Sequence, residues 1–111
     1  MLASKYRLKS QTLFARVEID GKLSQFIFFG LNVYDRKDDN PSRFGFIIST
    51  KISKRAVVRN RIKRIFSDYI RLNFDKIKKG QDVIFLIKPS IIKVNRELIE
   101  KEINEAITKY L

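Results

Sequence analysis

Five consecutive apolar residues, Val83-Ile84-Phe85-Leu86-Ile87, lie between Asp82 and the pair Lys88-Pro89. Their β-branched and aromatic content predicts a strand from Asp82 to Lys88, stopped by Pro89. A strand that is apolar at every position is one covered on both faces. The fold therefore has to place other elements over both sides of this segment.

Those elements follow one another with short connections and without a repeat, a low-complexity tract or a linker. A chain of 111 residues is long enough for one core and too short for two, so residues 1–111 are expected to form one RNA- or DNA-facing domain. Ser10 is expected to cap a short helix through Phe14 and Val17, with Gly21 ending it in the positive-φ position. The arm before it, residues 1–9 with Lys5, Arg7 and Lys9, is basic and expected to be extended. Gln25 to Tyr34 reads as one aromatic-rich strand, in which Gly30 marks a bulge or a close backbone approach. Asp35 to Ser42 is a polar turn, and Arg43 to Thr50 is expected to return as an antiparallel strand. A basic loop, Lys51 to Arg55, leads into a helix from Ala56 to Asn73. Asn95 caps a last helix, where Ile99, Ile103, Ala106, Ile107 and Tyr110 recur at helical spacing. The fold class is α+β, with helices packed on an open sheet.

Charge narrows the partner. Lys and Arg number 24 against 12 Asp and Glu, a net charge of +12. That self-repulsion points to a polyanion. Eight of the basic residues, and no acid, fall between Arg43 and Arg64. On a helical wheel Val58, Ile62, Ile65, Phe66 and Tyr69 form a buried stripe. Asn60, Lys63, Arg64 and Arg71 lie opposite, Arg61 on one flank, and Arg59 at the border of the stripe. A basic helix face can be mere solvated surface, but the run from Arg43 to Arg64 holds no acid that would neutralise it from within. The last helix carries Glu97, Glu100, Glu102 and Glu105 and is not expected to face the polyanion. No helix-turn-helix pair precedes the basic helix, which favours RNA over DNA. No apolar run approaches the roughly 18 residues needed to cross a bilayer and no signal peptide opens the chain, so a cytoplasmic protein without a membrane partner is expected.

From Phe44 to Arg64 the chain reads Phe-Gly-Phe-Ile-Ile-Ser-Thr-Lys-Ile-Ser-Lys-Arg-Ala-Val-Val-Arg-Asn-Arg-Ile-Lys-Arg. This closely resembles the protein component of bacterial ribonuclease P, in which a Ser-Lys-Lys-like loop runs into a helix bearing Ala-Val-x-Arg-Asn-Arg-x-Lys-Arg. The resemblance extends over nearly the whole chain, through Arg7-Leu8-Lys9, the Phe14 helix, the aromatic strand and Lys88-Pro89. It implies an α-β-β-β-α-β-α two-layer sandwich with a left-handed crossover around the long helix, a fold shared with a ribosomal-protein domain. It also implies a subunit that binds a catalytic RNA and the 5′ leader of precursor tRNA, while the RNA and its Mg²⁺ ions cleave the phosphodiester. Carried onto this sequence, the catalytic-RNA contacts are Lys51, Lys54, Arg55, Arg59, Asn60, Arg61, Lys63 and Arg64. The leader cleft is Phe14, Ile27, Phe29 and Lys88, and the basic arm contributes Arg7 and Lys9. Three positions depart from the pattern. Glu18 replaces a second aromatic one turn after Phe14, Ile87-Lys88-Pro89 replaces Arg-Lys-Pro, and the loop reads Ser49-Thr50-Lys51.

No catalytic centre of the protein's own is expected. Cys and His are absent, which removes thiol nucleophiles, imidazole acid–base chemistry and zinc sites with those ligands. Asp35, Asp38 and Asp39 sit in a Pro-containing turn, where Asp serves local backbone hydrogen bonds. Asp20 and Asp82 stand alone at element ends, and Asp68 and Asp75 flank Arg71 as an expected ion-pair partner. No cofactor is expected on the protein itself. Phe26 and Phe28 are expected on one face of the aromatic strand, Ile27 and Phe29 on the other. Either helices cover both faces, or one face is a shelf on which unpaired bases stack. The competing functions are a ribosomal or RNA-chaperone binding module, and an autonomous metal-dependent nuclease that the missing site disfavours.

Overall fold

The computed structural model describes residues 2–111. Four strands form one sheet: β1 (Lys22–Gln25), β2 (Phe29–Asp35), β3 (Arg43–Ile47) and β4 (Gln81–Ile87). With helices α1 (Gln11–Asp20), α2 (Ala56–Leu72) and α3 (Arg96–Tyr110), the order is α-β-β-β-α-β-α. The strand order β1-β2-β4-β3 puts the apolar run of β4 inside the sheet, as burial on both faces demands. β2 pairs with β4 antiparallel, with Phe29 opposite Ile87, and β3 pairs with it in parallel, with Phe46 opposite Phe85. The expected return strand therefore runs against β2 without pairing with it, because β4 takes the place between them. It also ends at Ile47, short of Thr50.

Alternation along β4 divides the core in two. Phe29, Leu31, Val83 and Phe85 meet Ile62, Phe66, Ile70, Ile99 and Ile103 on the side of α2 and α3. Ile84 and Leu86 meet Leu8, Phe14, Val17 and Ile47 on the side of α1. The short α1 covers its side incompletely. Phe14, Ile47 and Leu86 remain half-buried there, whereas Phe29, Phe66 and Phe85 are closed off from solvent.

The Gln25–Tyr34 segment is two strands and not one. β1 ends at Gln25, β2 begins at Phe29, and Phe26-Ile27-Phe28 forms the turn between them. The turn is clamped from the far end of the chain. Lys88 Nζ donates to Phe26 O at 2.6 Å, Ser90 Oγ to Ile27 O at 2.7 Å, and the Phe28 N–H to buried Glu102 Oε1 at 2.7 Å.

Gly21 has φ −79°, not the positive value expected of it. Its glycine answers a close approach, since a Cβ there would lie 2.3 Å from Asn32 Oδ1 and 2.4 Å from Val17 O. The basic arm is less extended than expected. Ser4–Tyr6 forms a 3-10 turn, after which Arg7 bridges Phe44 and the Leu8 N–H donates to Phe44 O at 2.9 Å. Met1 of that arm lies outside the described residues. Both expected helix caps are present: Ser10 Oγ accepts from Leu13 N at 3.1 Å and Asn95 Oδ1 from Leu98 N at 3.0 Å.

Candidate nucleic-acid interface

The α2 helix is built as its pattern requires. Ile62, Ile65, Phe66 and Ile70 are buried against the sheet, with Val58 and Tyr69 half-buried at the edges of the stripe. Asn60, Arg61, Arg64 and Arg71 are exposed. Arg59 and Lys63 are half-buried.

Before the helix, buried Ile52 pins the loop, whose Lys51, Lys54 and Arg55 side chains stay exposed. Arg59 stabilises that loop from one turn into the helix, Nη1 donating to Ser53 O at 2.8 Å. It is thus partly a positioning residue, consistent with its place at the border of the stripe. No side chain caps the α2 N-terminus at Arg55, so the positive end of the helix dipole adds to the loop's charge.

The set assigned to a leader cleft does not come together. Phe29 is fully buried on the α2 and α3 side, in contact with Phe26, Phe66 and Phe85 at ring-centroid distances of 5.0–5.5 Å. Phe14 lies on the opposite face, over Gly45, where a Cβ would fall 2.4 Å from its ring. Ile27 is 70% exposed, at the tip of the clamped turn. Lys88 is half-buried at the end of β4 and spends its ammonium on Phe26 O.

What the structure assembles instead is a half-open apolar strip of Phe14, Ile47 and Leu86, with Gly30 and Gly45 presenting backbone between side chains. Ile47 and Leu86 escaped the sequence reading because their face depends on the pairing of β3 with β4. A small cavity of about 190 Å³ at the β3 edge, lined by Arg7, Phe14, Gly45, Phe46 and Lys63, connects this strip to the basic side of α2. Arg7 and Lys9 are both exposed, and Lys9 Nζ donates to Ser4 Oγ.

The carboxylates are engaged structurally. Asp35 accepts from the Lys37 N–H at 2.8 Å and Asp38 from the Asn40 N–H at 3.0 Å, the local bonds expected of the turn. Asp68 pairs with Arg96 at 3.7 Å. Asp82, expected alone, is fully buried among three arginines. Arg43 holds it through two bonds of 2.8 Å, Arg16 through one of 2.8 Å, and Arg36 through a further contact. Burial alone would raise its pKa, but the hydrogen bonds from Arg43, Arg36 and Arg16 outweigh that and hold the carboxyl below the usual range. Asp38 is likewise lowered, by its hydrogen bond from Arg36. Among the described residues no three His, Cys, Asp or Glu side chains are grouped so as to hold a metal, and no helix is long and apolar enough to cross a membrane.

Comparison with known proteins agrees with this geometry. The family model for ribonuclease P matches residues 2–111. The ribonuclease P protein component of Synechocystis sp. is 32% identical over 108 residues, covering 97% of this chain and 87% of the relative. That of Cyanothece sp. is 29% identical over 124 residues, covering 98% and 95%. Among solved structures, the RNase P protein of Staphylococcus aureus superposes with a TM-score of 0.85 at 22% identity, over 93% of each chain. The protein from Thermotoga maritima gives the same TM-score and identity over 95% of this chain and 97% of its own. With a cationic helix, free of acids from Ala56 to Arg64, on the matching fold and a family match along its described length, this chain belongs to the bacterial ribonuclease P protein component family, components of a ribonucleoprotein endoribonuclease.

Proposed function

We propose that this chain binds the catalytic RNA of ribonuclease P through the outer face of α2 and the loop before it, and supports removal of the 5′ leader from precursor tRNA. The observation that carries this reading is the grouping of Lys51, Lys54, Arg55, Arg61 and Arg64 as exposed cations around an uncapped helix N-terminus, with Asn60 among them. Guanidinium forks suit bidentate phosphate contact, and the ammonium groups add point charges. Arg59 supports the array by holding Ser53.

The leader's place is the strip of Phe14, Ile47 and Leu86, where bases can lie on apolar side chains while Arg7 and Lys63 meet the backbone at the connecting cavity. With one aromatic ring in the strip and the exposed carboxylate of Glu18 one turn along α1, leader binding is weaker than in relatives with a second aromatic there. Mg²⁺ belongs to the RNA in this scheme. The test is precursor-tRNA cleavage at low Mg²⁺ with a bacterial ribonuclease P RNA, with and without the protein. The protein should lower the Mg²⁺ requirement of the RNA and have no activity alone; cleavage by the protein alone, or no effect on the RNA, refutes the reading.

A further inference from the structure

The Asp82 cluster gathers more positive charge than it neutralises. A cavity of about 480 Å³ above it is lined by Lys5, Arg16, Arg36 and Arg43, with Asp38 the one carboxylate among its lining residues. Counting Asp82 beneath, four cations face two carboxylates, a surplus of two positive charges.

The donors divide into spent and free. Arg36 is consumed by Asp82, Asp38 and the carbonyls of Gln81, Asn40 and Pro41. Arg43 gives Nε and Nη2 to Asp82 and Arg16 gives Nη2. Among the described residues, nothing accepts a hydrogen bond from Nη1 of Arg16 or Arg43. Lys5 Nζ lies 5.0 Å from the Tyr6 ring centroid and has no carboxylate partner there. The Arg16 guanidinium is held 4.6 Å over the Tyr34 ring, which fixes its orientation toward the cavity it lines. The Arg16 and Arg43 side chains remain 36% and 28% exposed. Like charges crowded at a partly desolvated site repel, and a bound anion offsets that cost. Two guanidinium edges and an ammonium suit the tetrahedral oxygens of a phosphate.

We propose that Lys5, Arg16 and Arg43 form a phosphate site, filled in the working complex by a backbone phosphate of RNA. It sits at the Asp82 end of β4 on the α1 side of the sheet, the opposite end of that strand from Lys88, and is separate from the α2 array. The inference rests on the reading of this chain as an RNA-binding subunit.

The experiment uses the full chain. Affinity for a bacterial ribonuclease P RNA, and then of that complex for precursor tRNA, is measured across a salt series for wild type, Lys5→Ala, Arg16→Gln and the control Lys101→Ala, whose side chain is exposed on the outer face of α3. Lys5 is exposed and outside the Asp82 bonds, so Lys5→Ala tests the site without disturbing the fold. Relative to the control, Lys5→Ala and Arg16→Gln should shallow the log–log salt slope of one equilibrium by about 0.7–0.9. Which equilibrium responds identifies the phosphate's source. In parallel, inorganic phosphate should shift the Nε–H resonances of Arg16 and Arg43 saturably, and less so in Lys5→Ala. Slopes of both variants equal to the control's, with wild-type binding intact, would overturn the site as an RNA contact even if free phosphate moves those resonances. If the wild type binds neither RNA, the functional reading fails, and unmoved resonances then refute the phosphate site as well.

Discussion

Replacing Asp82 by Asn tests the most concentrated electrostatic feature of the molecule. The carboxylate is fully buried and accepts from Arg16, Arg36 and Arg43, and the Arg36 side chain is itself only 8% exposed. Asn keeps the shape and removes the charge that three guanidinium groups share. Removing one partner of a buried ion pair costs about 3–5 kcal/mol, because the remaining charge is left uncompensated. At an unfolding entropy of about 2.1 cal/mol/K per residue, a chain of 111 residues has about 0.23 kcal/mol/K, so Tm should fall by about 13–21 °C. Urea denaturation and calorimetry measure both quantities. The same carboxyl sets a pH response. Its folded pKa lies below the ordinary 3.8, so its stabilisation is fully present above the unfolded value and lost as pH falls through the folded one. The wild type should therefore lose stability below about pH 4, and Asp82→Asn should lack that component of the acid transition. The coupling is also testable. In an Arg16→Gln background Asp82→Asn should cost less, since one fewer cation is stranded. A loss under about 1 kcal/mol, or strict additivity with Arg16→Gln, would refute the account of this cluster.

Other outcomes follow from the two faces of the sheet. Arg61→Ala and Arg64→Ala should weaken binding of the catalytic RNA, each lowering the salt slope by about 0.7–0.9, with Tm unchanged. Arg59→Ala should also lose about 1 kcal/mol of stability in urea titration, because Ser53 O loses its donor. Phe29→Ala should destabilise by about 3–5 kcal/mol, read by denaturation, in place of a selective loss of leader binding. Gly45→Ala should displace the Phe14 ring, lowering affinity for leader-bearing precursor tRNA relative to mature tRNA while leaving catalytic-RNA binding in place.

Where a segment's fate is set locally, the sequence was legible. The α2 boundaries, the Ser10 and Asn95 caps and the central place of β4 all follow from periodicity, side-chain chemistry and a run of apolar residues. The division of Gln25–Tyr34 was not, because its composition is continuously strand-like. The break at Phe26–Phe28 is stabilised by Lys88, Ser90 and Glu102, more than 60 residues away. That break also undid the face assignment: alternation counted across it put Ile27 beside Phe29, while the real alternation starts at Phe29 and turns it inward. The cationic array was legible because exposure of a basic helix face needs no knowledge of partners. The strip of Phe14, Ile47 and Leu86 was only partly legible, since it depends on which strand neighbours which. Asp82 gave no signal at all, as its three arginines come from α1, the turn after β2 and the start of β3.

The position of β4 also governs the order in which the molecule can be assembled during synthesis. β1 and β2 can pair as soon as both exist, but β2 and β3 find their shared neighbour only after α2 has been made and β4 follows it. Until then Phe29, Leu31 and Phe44 have no sheet to close over them. Pairings this distant along the chain carry a large loop-closure entropy and slow the search for the native state. Because α2 is the crossover between two strands that pair with each other, its apolar face docks only in the step that completes the sheet. A nascent chain halted before Gln81 would therefore display arginines without a fixed spacing, and a rigid array of cations would exist only once the last strand is home.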